Sequence, residues 1–222
     1  MDIQINDNKG ERLEVQGFCE QVYQKYEILH ELGEAYMGLE QYEQAVECFQ
    51  EAIRHEPRLA EAHTSLGMAA IRLNQPDVAL TSLQKAVQVN PRYAKAYAGL
   101  AVVHQRARQF PRAFEMYLKS LELDGDNLLA LLGLFQTSCR MGTFSKITFY
   151  LESYLERHPD DASVMFCLAT LYAKDGMLED ARDVLMRLLA AEPDKQEAVD
   201  LLEKVQNHIR QRRASTVEEG VA

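Results

Sequence analysis

An all-α fold of tandem helical hairpins is what this sequence predicts, and three features predict it. A motif recurs every 34 residues without an insertion. Steps from Pro57 reach Pro91, Gly125, Pro159 and Pro193; steps from Leu32 reach Leu66, Leu100, Leu134 and Leu168; steps from Ala45 reach Ala79, Ala113, Ile147 and Ala181. Inside each copy the apolar residues fall at helical spacing, first Leu29, Leu32, Gly33 and Tyr36, then, after a polar turn, Ala45, Phe49 and Ala52. Helix breakers are few, with Pro 6 and Gly 11 in 222 residues, and most prolines stand where one copy ends, placed to stop a helix.

Residues 1–25 read as an N-terminal extension, partly helical, because Val15, Phe18, Val22, Tyr26 and Leu29 keep phase with the first copy. Two readings fit: a lengthened or extra first helix, or a segment that folds back over the surface of the repeats. Five copies follow, at 26–59, 60–93, 94–127, 128–161 and 162–195, each a pair of helices. Pro76 and Pro111 fall near the start of a second helix, where the missing N–H costs nothing. Gly33, Ala45 and Ala52 are small so that two helices can approach; in the fourth copy these slots hold Phe135, Ile147 and Tyr154. Either its helices splay apart or the register slips toward Gly133. Residues 196–213 continue as a capping helix, with Ala198, Leu201, Leu202, Val205 and Ile209 on one stripe and polar residues opposite. Residues 214–222 read as a flexible tail.

The order Leu29, Leu32, Gly33, Tyr36, Ala45, Phe49, Ala52, Pro57 resembles the tetratricopeptide repeat (TPR) motif. The second copy matches at Leu66, Gly67, Ala79, Leu83, Ala86 and Pro91, and the fifth at Leu168, Ala169, Tyr172, Ala181, Leu185 and Pro193. The resemblance covers about 26–195. It implies a right-handed α-solenoid of helix-turn-helix repeats whose first helices line a concave groove that holds a segment of a partner protein. Some TPR co-chaperones clamp a C-terminal carboxylate there with Lys and Asn. The matching positions here are His30 and Glu34, and Glu34 would repel a carboxylate, so that activity is not carried over.

On this reading the groove is mostly apolar in its middle, through Met68, Ile71, Ala98, Val102, Leu132 and Phe166, with Gln136 beside them. Such a surface suits an amphipathic segment, and Met adapts to varied ligands; equally, some of these side chains would pack against the neighbouring helix. Beside it Arg72, Arg106, Arg140 and Lys174 recur in step. This ladder of cations could hold acidic groups of a partner; equally, a base at each helix C-terminus suits the helix dipole.

The remaining features exclude more than they assign. The net charge is −10, which argues against nucleic acid. Residues 26–59 carry −6 of it and 60–127 carry +2. No run is long and apolar enough for membrane insertion. Cys19, Cys48, Cys139 and Cys167 form no CxxC pair, and with no leader-like start the chain reads as cytoplasmic, with reduced thiols. The six histidines are scattered, and phosphate-loop, nucleophile-elbow and zinc-protease motifs are missing. The expectation is a scaffold or adaptor that binds a protein or peptide partner, monomeric, without enzyme activity, cofactor or metal. The alternative is a self-assembling structural protein, or a chaperone-like holder of a secretion or assembly partner.

Overall fold

The computed structural model describes residues 9–144 and 146–219, with side chains for 24–144 and 146–212. Among these residues there are eleven helices and no strand. One compact unit, Met1–Gln109, contains α1 (Lys9–Gly38), α2 (Tyr42–His55), α3 (Ala60–Arg72), α4 (Pro76–Val89) and α5 (Ala94–Arg106). A second, Phe110–Ala222, contains α6 (Phe110–Leu123), α7 (Leu128–Met141), α8 (Ile147–Arg157), α9 (Ala162–Lys174), α10 (Leu178–Ala191) and α11 (Gln196–Glu219). The helices α3, α5, α7, α9 and α11 begin 34 residues apart, as the periodicity requires.

Both terminal helices run longer than the other helices of the chain. The first helix runs without a break from Lys9, so residues 9–25 lengthen it; residues 1–8 lie outside the described set. At the other end α11 continues to Glu219, through residues 214–219 that the sequence reads as a tail. The reason is propagation: once the first half of the helix is docked, each added residue costs little until Gly220, and no Gly or Pro intervenes. The docked half behaves as a cap. Ala198, Val205 and Ile209 are buried against α9 and α10 residues such as Ala169 and Leu185, while Asp200, Glu203, Asn207 and Arg210 are exposed.

The turn after each first helix is built the same way five times. Glu40, Asn74, Arg108, Gly142 and Gly176 all have positive φ, between 56° and 77°. The next residue's N–H then reaches back to a helix carbonyl: Gln41 to Tyr36, Gln75 to Ala70, Gln109 to His104, Thr143 to Ser138 and Met177 to Tyr172, at 2.8–3.2 Å. This is the Schellman closure, which satisfies carbonyls left open at a helix end.

Packing within the hairpins follows the small-residue slots. A Cβ on Gly33 would lie 2.5 Å from the Phe49 ring, and one on Gly67 2.6 Å from Leu83. Leu83 and Phe49 are fully buried in return, each worth about 2–3 kcal/mol of apolar transfer. In the third and fourth copies the glycine sits two positions earlier and meets the preceding repeat instead, Gly99 against Leu83 and Gly133 against Tyr117. The fourth hairpin resolves the question raised by its bulky slots. Ile147 and Tyr154 are buried, Phe135 is half-buried, and α7 and α8 pack less closely than α3 and α4. The helix α8 also starts three residues later than the period predicts and is shorter, 11 residues against 14. The helices splay; Gly133 serves the approach to α6 rather than a slipped register.

Candidate functional site

In the first unit the exposed face of α1, α3 and α5 carries two kinds of surface. Met68 on α3 and Val102 on α5 are half-buried and present apolar area. Next to them stands a polar cluster from α1 and α3. The Ser65 hydroxyl donates to Glu34 Oε1 at 2.7 Å and lies 3.1 Å from His30 Nε2, and His30 is 3.8 Å from the same carboxylate. His30 is held between rings, stacked on Tyr26 at 5.6 Å and tilted against Phe49 at 5.4 Å. Tyr93, at the start of α5, senses this region: burial, then the charges of Glu61 and Glu34, push its phenol up to about 12.

Several of the residues assigned from sequence are placed differently. Ile71 and Ala98 are buried and belong to the packing between helices. Their 34-residue step correctly gives their phase on the helix, but not how far the neighbouring helix covers it. Thr64, in line with His30, is also buried and donates to the Ala60 carbonyl at 2.8 Å. The hydroxyl that reaches the face is Ser65, one residue further on, and its polar type was the only sequence signal for it.

The two ladder cations of this unit, Arg72 and Arg106, are engaged within the chain. Arg106 donates to the Ile71 carbonyl at 2.6 Å, at the C-terminal end of α3. Arg72 hydrogen-bonds the Tyr42 hydroxyl, lies 4.8 Å over the Tyr42 ring, and is 3.8 Å from Glu40. Beside Arg106 a cleft of about 190 Å³ opens between the α3–α4 turn and α5, lined by Ile71, Asn74, Pro76 and Val103.

In the second unit Leu132 and Phe166 are half-buried, and Phe166 also packs on the α9–α11 core. Gln136 and Arg140 are exposed. Lys174 lies 4.9 Å over the Phe144 ring and 3.9 Å from Cys139 Sγ. The buried Cys167 thiol is pushed up to about 12, first by burial and then by Cys139 and Asp161, which leaves it protonated and unreactive near neutrality. Among the described residues no group of three His, Cys, Asp or Glu could hold a metal ion, and no helix is long and apolar enough to cross a membrane.

Three tetratricopeptide repeat family models match, at residues 26–59, 64–127 and 141–205. No curated protein sequence matches the chain. Solved structures do. PilF of Pseudomonas aeruginosa aligns over 89% of this chain and 90% of its own, with a TM-score of 0.74 at 18% identity. MamA aligns over 74% of this chain and 96% of its own, with a TM-score of 0.61 at 19% identity. These two likenesses concern the fold alone. The first TPR domain of Spaghetti (RPAP3), solved with an HSP90 peptide, SRMEEVD, is 27% identical over 54% of this chain and 95% of its own, with a TM-score of 0.51. The 34-residue hairpins, their recurring turns and these matches agree on one assignment: the chain is an all-α solenoid of helical repeats and belongs to the tetratricopeptide repeat family.

Proposed function

We propose that this protein is a non-catalytic interaction module that holds an extended or helical segment of a partner protein on the face of its first helices. TPR proteins in general mediate protein–protein interaction. The observation that carries the reading here is the juxtaposition in the first unit of half-exposed Met68 and Val102 with the Glu34–Ser65–His30 cluster. Apolar side chains of the segment would rest on the first pair, and its polar groups would meet the second.

The RPAP3 domain's peptide, SRMEEVD, is acidic. Glu34 is exposed in this chain, and Arg72 and Arg106 are already engaged. The first unit therefore favours a segment that is neutral or basic beside Glu34, and the HSP90 ligand is not carried over. Free thiols at Cys48, Cys139 and Cys167 suit a reducing compartment such as the cytoplasm.

The test is recovery of partners by wild type and by Met68→Glu with Val102→Glu, both checked for helicity. A protein held by wild type and lost by the double variant supports the face. Equal recovery by both removes it.

A further inference from the structure

The first helix carries an apolar stripe that faces away from the hairpin. Ile28, Leu32 and Leu39 are 66%, 43% and 68% exposed, and Ala35 is exposed between them. The four fall at i, i+4, i+7 and i+11, one line on a helix. His30 and Glu34, which meet Ser65 of α3, lie on the other side of α1.

The repeat itself says what this line is for. A step of 34 residues takes Ile28, Leu32 and Ala35 to Ala62, Leu66 and Ala69 on α3, and a second step to Ala96, Leu100 and Val103 on α5. All six of those are no more than 8% exposed. On α3 they are covered by the second helix of the preceding repeat: Leu66 and Ala69 cluster with Ala45 and Phe49 of α2, and Ala62 with Ala52. The outer line of α1 is thus placed like a repeat–repeat interface, and among the described residues no helix covers it as α2 covers α3. Terminal helices of solenoids ordinarily turn a polar face outward, as α11 does in its own unit.

We propose that this line docks an amphipathic helix of a partner protein with a small–large–small seam, as α2 has in Ala45, Phe49 and Ala52, and a basic edge. The basic edge follows from charge. Glu27 and Glu31 are exposed along one border of the stripe, in a stretch of net charge −6. A second copy docked α1 against α1 in antiparallel fashion would set like edges together and oppose these carboxylates. This surface is separate from the Met68–Val102 face, so either can fail alone.

The probe is a synthetic 14-residue helix with the sequence of α2, Tyr42–His55, carrying Gln44→Lys, Cys48→Lys and Glu51→Lys along one flank of the Ala45–Phe49–Ala52 seam, titrated into the full chain by fluorescence anisotropy. The expected dissociation constant is on the order of 10–100 μM, rising with salt. Ile28→Glu with Leu32→Glu should weaken it about tenfold or more, and Glu27→Lys with Glu31→Lys about fivefold. Met68→Glu with Val102→Glu should leave it unchanged. The stripe is exposed, so these variants should keep wild-type circular dichroism. No binding at about 1 mM, or binding indifferent to Ile28→Glu with Leu32→Glu, overturns the docking surface. Equal affinity for the peptide that keeps Gln44 and Glu51 and carries Cys48→Ser overturns the basic partner. A wild-type dimer that Ile28→Glu dissolves overturns it in favour of a second copy.

Discussion

The second and fourth repeats share a length and a period but solve the hairpin differently. In the second, Gly67 lets α3 close on Leu83, and Gly99 of the next helix closes on the same side chain from the other direction. In the fourth, Ile147 and Tyr154 occupy the small slots, the hairpin opens, and α8 begins late. The close approach moves to Gly133 and Tyr117, between repeats. Local sequence can thus shift the tightest contact of a solenoid from within a repeat to the seam before it, without changing the 34-residue period.

The largest expected effect tests the tight side of this contrast. Leu83→Ala, which empties the space between two glycines, should cost about 4 kcal/mol by urea unfolding, more than Ile147→Ala in the open hairpin. Next come the glycines. Gly67→Ala and Gly133→Ala should each cost about 2 kcal/mol, since Leu83 and Tyr117 are buried and have little room to move. If Gly133→Ala is silent, the seam before the fourth repeat is loose and the contrast fails.

Smaller effects probe the turns, which both repeats share. Gly142→Ala meets no atom within 4 Å but must hold a φ of 70°, so it should cost about 1 kcal/mol. Arg108→Gly should gain somewhat less than that, about 0.5 kcal/mol, because the relief of positive φ is offset by the freer unfolded chain. The smallest effect is at alkaline pH. Cys167 is raised from its ordinary value of 9.0 to about 12 in the folded state, so its contribution is complete below pH 9.0 and is lost as pH climbs toward 12. Cys167→Ser should flatten the onset of that decline in thermal melts taken at rising pH.

Much of this was legible in the sequence, and the limits have physical reasons. The starts of α3, α5, α7, α9 and α11, from Ala60 to Gln196, follow from the period because each repeat restates the same stripe. The buried stripe of α11, Ala198, Val205 and Ile209, followed from one amphipathic line. The positive-φ slot was not legible, since Glu40, Asn74, Arg108, Gly142 and Gly176 share a backbone shape and no side-chain chemistry. Nor was the fate of the cations in the first unit. Arg72 and Arg106 keep step along the chain, but whether a guanidinium is free depends on what a different helix offers it, here Tyr42 and the Ile71 carbonyl. That Ile71 and Ala98 are the covered members of the apolar line was not legible for the same reason: phase is a property of one helix, cover a property of two.

The five turns have a consequence for how such a chain can grow. Each is closed by main-chain groups, so a duplicated segment of 34 residues arrives with its own corner already specified and asks nothing of the residues beside it. Length is then a quantity that can be edited in whole steps, while the side chains at the corners are left to drift.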